Sequence, residues 1–298
     1  VIAQAKNRTG SDVLPTTTET APTVMWAQWL PWVFAVGVLA LYAPTLIDAA
    51  HQWMTNDNYA HGIFVFPLCA FILWLRRDDL RQVRPQPSAW GLLPLLVGLV
   101  LQCLSYTLQI KYIGMWSLAI TLTGGVLLLY GFPMLPYVRF ALLFSLLAAP
   151  LPHFLLNSIT TWIQSASTQG AAGLMTFLGY PLIKNGNVIQ VPGATLEVAA
   201  ACSGFHKLLS LTAFTLLYAY LFTTSQPKRL VMLAAVLPLA LLVNILRISG
   251  LIGVAASGGL TALHAAHDGA EYLAIGLAFG ILLLLGRSLG CRNIRFSL

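Results

Sequence analysis

Residues 230–256 read LVMLAAVLPLALLVNILRISGLIGVAA, a run whose one charged residue is Arg247. About 20 apolar residues suffice for a helix to cross a hydrocarbon core about 30 Å thick, so this run is long enough to span a bilayer. Further apolar runs lie at about 29–47, 61–75, 89–109, 112–132, 138–152, 203–223 and 271–286. Over the 298 residues, 58% are hydrophobic and only 8% are charged, where a soluble domain carries about 25% charged residues. Backbone exposed to lipid must satisfy its hydrogen bonds within its own segment, so the spans are helices. The chain reads as all-α: a polytopic transmembrane helix bundle of about eight spans, the second and fifth of them short. A water-soluble globular enzyme, a disordered chain and a nucleic-acid-binding domain are excluded.

Residues 1–25 are polar and rich in Ser, Thr and Pro, and read as a disordered cytoplasmic tail. Residues 26–290 form the membrane-embedded domain, with an extracytoplasmic segment at 153–201, and 291–298 form a basic cytoplasmic end. Basic residues mark cytoplasmic loops. With the N-terminus inside, those loops hold Arg76, Arg77, Arg81, Arg84, Arg139, Lys228 and Arg229, and the C-terminal end holds Arg287, Arg292 and Arg295. The opposite loops hold Lys111 and Lys184. The net charge of +7 is therefore a topology signal with an anionic-lipid component, and implies the bilayer as partner rather than nucleic acid. All six histidines, with Asp48, Asp57, Glu197, Asp268 and Glu271, fall on or near the outer face. The side with titratable chemistry faces outward.

Three residues stand out within that asymmetry. Cys202 opens the sixth span. Arg247 lies 18 residues beyond Arg229, which at 1.5 Å per residue is about 27 Å from the cytoplasmic edge. His267 sits just before the eighth span. A thiol, a guanidinium and an imidazole thus come to one depth, and an intramembrane Arg is by default a functional-site hypothesis. Such a trio supports acyl transfer through a thioester. A cation or a helix N-terminus can lower the pKa of Cys202, a histidine can take and return the proton, and Arg247 can stabilise an oxyanion. Asn244, three residues before Arg247, can orient it or the substrate. Cys69, Cys103 and Cys291 read as small buried hydrophobes.

At these residues the chain resembles the exosortase/archaeosortase family of membrane-embedded cysteine transpeptidases, over about residues 28–286. Glu197-Val198-Ala199-Ala200-Ala201-Cys202-Ser203-Gly204 is similar to the family's nucleophile motif, Asn244-Ile245-Leu246-Arg247-Ile248 to its arginine motif and His267-Asp268 to its histidine motif. Tyr59-Ala60-His61-Gly62, the basic exit Trp74-Leu75-Arg76-Arg77, and Lys184 to Ile189 leading through Pro192-Gly193 to the cysteine are also similar. The resemblance implies a membrane cysteine protease that cleaves proteins bearing a PEP-CTERM-like C-terminal sorting tail. Cleavage would fall outside the bacterial cytoplasmic (inner) membrane, with transfer to a surface or polysaccharide-linked acceptor. It implies Cys202 as nucleophile, Arg247 as thiolate or oxyanion stabiliser and His267 as acid/base. No cofactor and no metal is expected. The family commonly has an Arg two residues after the motif glycine, and here His206 stands there, followed by Lys207. The base is therefore open between His267, preferred, and His264 or His206.

The first half of the segment 153–201 suits interfacial helices on the membrane, and Asn185-Gly186 reads as a two-residue hairpin turn between Leu182-Ile183 and Val188 to Val191. This segment either lids the site, limiting water, or is a packing element on the membrane surface. Three rival readings remain: a transporter for a surface polymer, a metal site using Cys202 with His206, His264 and His267, and an assembly partner without peptidase activity. The clustering of polar residues at one face disfavours the transporter, and no recognised zinc spacing is present.

Overall fold

A computed structural model describes residues 29–192, 194–198, 204–222 and 225–291. The chain is an all-α bundle with one small sheet. Its helices are α1 Leu30–Thr55, α2 Gly62–Leu75, α3 Arg77–Gln82, α4 Leu92–Leu108, α5 Lys111–Leu129, α6 Leu135–Ser145, α7 His153–Phe177, α8 Phe205–Phe222 and α9 Gln226–Ser288. Gly259, at φ +71° and ψ −165°, breaks α9 into two limbs, Gln226–Gly259 and Thr261–Ser288. Glycine tolerates that positive φ without a Cβ clash, so one helical sequence can turn back on itself. Among the described residues, seven helices are long and apolar enough to cross a membrane, or eight if a bent pair counts as one span.

That bent pair is where the fifth apolar run differs from expectation. Residues 138–152 do not make one helix: α6 ends at Ser145, a 3₁₀ turn covers Leu146–Ala148, and α7 leaves at 79°. Pro150 and Pro152 follow the turn. Proline lacks the N–H a continuing helix needs and restricts the residue before it to extended backbone. Ala149 is extended, at ψ 135°. The eighth helix differs in the other direction: it begins at Thr261, so His267, Asp268 and Glu271 are all within it.

Helices α1, α4 and α5 are joined by small residues and hydroxyls. In lipid, hydrophobic burial does not drive helices together, and close packing with interhelical hydrogen bonds takes over. A Cβ on Gly124 would stand 2.4 Å from the backbone nitrogen of Leu95, and one on Gly91 2.5 Å from that of Leu128. These glycines let α4 and α5 approach backbone to backbone. Tyr42, fully buried on α1, has its hydroxyl 2.7 Å from Thr121 Oγ1 and 3.1 Å from Ser117 Oγ, while Gln102 Nε2 donates to Thr45 Oγ1 at 2.8 Å.

The segment 153–201 takes the shape of the single 25-residue helix α7 and a three-stranded antiparallel sheet, β1 Ile183–Asn185, β2 Val188–Val191 and β3 Ala194–Glu197. The hairpin turn is Gly186-Asn187, one residue later than expected, because Asn185 pairs with Val188. Gly186 has φ +61°, and a II′ hairpin turn gives its first central position to glycine. The third strand was not foreseen. One face of the sheet (Ile189, Val191, Ala194, Leu196) packs with Ala171, Ala172 and Met175 of α7 on Ile248, Leu251, Ile252 and Ala255 of the first limb of α9.

The glycine seam makes a simple expectation. Gly124→Val lowers the thermal midpoint of the purified protein by the equivalent of about 1–3 kcal/mol of overpacking, while Gly37→Ala, which meets nothing within 4 Å, leaves it unchanged.

Candidate functional site

Helix α8 and the two limbs of α9 bring one carboxylate, two cations and two imidazoles together. Glu271, on the second limb, is the centre. Its Oε1 is 2.8 Å from Lys207 Nζ and 2.8 Å from His206 Nε2, and its Oε2 is 2.8 Å from Arg247 Nη2. The side chains of Lys207 and Arg247 are 1% and 2% exposed, and that of Glu271 is 21% exposed. Two buried cations and one carboxylate leave one positive charge. Buried charges persist only when paired and hydrogen-bonded, so the site's geometry and its charge balance are one constraint.

Arg247 also reaches His267: its Nη2 lies 3.3 Å from His267 Nε2. His267 Nδ1 is 3.1 Å from Asp268 Oδ1. If Arg247 donates, Nε2 is the acceptor, and the proton of a neutral ring sits on Nδ1, facing Asp268. That assignment follows from the hydrogen-bond network. The Nε2 lone pair is then the one that faces Arg247. His206 has the opposite geometry, since its Nε2 points at the Glu271 carboxylate. The remaining nitrogens of Arg247, Nε and Nη1, are buried and find no hydrogen-bond partner among the described residues.

Asn244, one turn before Arg247 and fully buried, has its Oδ1 3.5 Å from Lys207 Nζ. It also abuts the motif glycine. Gly204 has φ +85°, and a Cβ there would lie 2.9 Å from Asn244 Cγ. Backbone conformation and space both demand glycine, which places the end of the Cys-Ser-Gly motif against the arginine helix. Upstream of the motif, Gln164 Nε2 of α7 donates to the carbonyl of Val198, tying the exit of β3 to α7.

The structure thus brings together Arg247, His267, Asn244, His206 and Gly204. Glu197 is at the end of β3 with an exposed side chain. His264 lies in the second limb of α9, its side chain outside the described residues. Cys202 and Ser203 fall outside them as well. The organising role of Glu271 was missed. A signal existed: Glu271 is four residues beyond His267, hence on its helical face, and is an acid within an apolar run.

Removing that acid has a definite expected consequence. Glu271→Gln keeps the shape but leaves two buried cations without a counter-charge, a loss of about 3–5 kcal/mol in unfolding measured in detergent. Adding Lys207→Met to that variant recovers part of it. An unchanged Glu271→Gln transition would mean that the cluster does not anchor the bundle.

Comparison with known proteins adds one match. Residues 53–284 match the family model described as transmembrane exosortase, Exosortase_EpsH. No curated protein and no solved structure matches the chain. The matched region runs from the end of α1 through the second limb of α9 and contains every residue of the cluster. The chain therefore belongs to the transmembrane exosortase family.

Proposed function

We propose that the protein is a membrane cysteine transpeptidase or protease that cleaves proteins bearing a C-terminal sorting tail, on the extracytoplasmic side of the inner membrane. The product passes to a surface acceptor, polysaccharide-linked in this reading. Cys202 attacks the scissile carbonyl and forms a thioester, His267 takes the thiol proton and returns it to the leaving amine, and Arg247 stabilises the oxyanion. An amine or hydroxyl of the acceptor, or water, then resolves the thioester and releases the cysteine.

The observation that carries this reading is the contact between Arg247 Nη2 and His267 Nε2 at 3.3 Å, made by residues 20 positions apart within a family-matched segment. Two supports stand beside it. The buried, unpartnered Nε and Nη1 of Arg247 are donors suited to an oxygen that develops charge in the transition state. Gly204, the last residue of the Cys-Ser-Gly motif, abuts Asn244, one turn from Arg247, which supports reading the motif together with the pair. His267 is preferred to His206 as the base because it stands in the histidine motif, with its Nδ1 oriented by Asp268 and its Nε2 beside Arg247. The small sheet leads directly to the cysteine motif and serves as a lid that limits water and favours transfer over hydrolysis.

The test is co-expression with a tail-bearing substrate. Cys202→Ala leaves the substrate uncut, while alanine variants of Cys69, Cys103 and Cys291 still cut it. Arg247→Lys keeps the charge but loses the fork geometry, and lowers the turnover rate about 100-fold or more. Full cleavage by Cys202→Ala would reject the thioester mechanism. For the lid, replacing Asn185-Gly186 raises the hydrolysed fraction of product relative to the transferred fraction; unchanged partitioning would assign the sheet to packing alone.

A further inference from the structure

Helix α8 lies at a seam. Its Leu211 and Tyr218 belong to a core shared with α9, while its Ala213 belongs to a separate core shared with α2, α5 and α6. Between the two cores is a cavity of about 350 Å³, walled by Phe64 and Leu68 of α2, Phe214 of α8 and Phe279 of the second limb of α9. Phe64 is 64% exposed, so this wall stands on the lipid-facing surface of the bundle. At one end the lining changes to His206 and Lys207, two of the side chains held by Glu271.

We infer that this cavity seats one acyl chain of an anionic membrane phospholipid, with the headgroup at the Lys207 end. The apolar walls open onto the lipid-facing surface, so an acyl chain of the surrounding bilayer can enter from the side. Charge selects the headgroup. The buried trio Lys207, Arg247 and Glu271 carries one net positive charge where the apolar lining ends, and a phosphodiester supplies one negative charge without protonation. The seam is therefore a lateral entrance by which the bilayer reaches the polar cluster, and the assignment stands whether or not the protein is a peptidase.

The test uses the full chain reconstituted in phosphatidylcholine vesicles containing phosphatidylglycerol with a diazirine in its acyl chain. After illumination, label on residues 60–68, 206–217 and 275–279 exceeds several-fold that on the exposed Leu93 of α4, which reports ordinary lipid contact. The same diazirine in phosphatidylcholine gives less label there. Ala213→Trp, which fills the cavity, removes the excess; Ile275→Trp does the same from the opposite wall and serves if Ala213→Trp fails to fold, as judged by gel filtration. Label no greater than at Leu93, or label unchanged in a folded tryptophan variant, would overturn the acyl-chain seat. Displacement of the label by an apolar helical peptide would overturn it in favour of a peptide site, and equal labelling by the two lipids would overturn the anionic headgroup.

Discussion

A single carboxylate holds the C-terminal half of this bundle together. Glu271 contacts a lysine from α8 and an arginine from the first limb of α9, both nearly sealed from solvent. Hydrocarbon neither screens nor solvates such cations, so each is tolerable only where the opposite charge is waiting. The break at Gly259 is what makes the meeting possible, because it folds the second limb back so that residue 271 faces residue 247. Fold and site are therefore not separable here: the ion cluster that positions Arg247 also fixes how the last three helical segments pack.

The N-terminal half is joined by different means. There the contacts are glycine against backbone and hydroxyl against hydroxyl, with Tyr42, Ser117, Thr121, Gln102 and Thr45 forming a buried polar ladder. Each such bond is modest, since alternatives exist for the separated helices in a membrane, but the glycine contacts set a close spacing that no larger residue permits. One half is fixed by charge and the other by shape. The cavity lies along the helix shared between them, where neither device closes the gap.

Much of this was legible in the sequence for a physical reason. Hydrocarbon thickness converts residue count into depth, so 18 residues beyond a basic loop placed Arg247 near one boundary, and His267 beside a span end placed it at the same level. The structure joins the two. What the sequence did not supply was the partner that stabilises them. In the sequence Glu271 stands among the outer-face acids at the start of the last apolar run, whereas the helix begins ten residues earlier and the Glu271 carboxylate reaches Lys207 and Arg247. Apolar content could not show that Pro150 and Pro152 divide the fifth run, and the four-residue strand β3 is too short for alternation to distinguish it from a loop. The turn shifted by one residue because the positive φ falls on Gly186 itself. The nucleophile assignment rests on the motif alone, Cys202 being outside the described residues.

The unpaired donors of Arg247 sharpen what the site is suited to do. A buried N–H without an acceptor costs about 1–3 kcal/mol, and Arg247 carries two such atoms although a carboxylate and an imidazole lie beside it. Glu271 engages only one edge of the guanidinium, so it sets the orientation without neutralising the whole fork. A neutral carbonyl oxygen would satisfy those donors in part, and an oxygen carrying developing negative charge would satisfy them better, because charge-assisted hydrogen bonds are roughly twice as strong. Complementarity of that kind favours the transition state over the bound substrate. In the proposed reaction this geometry would make the arginine a transition-state stabiliser rather than a ground-state anchor, with Glu271 holding it ready beforehand.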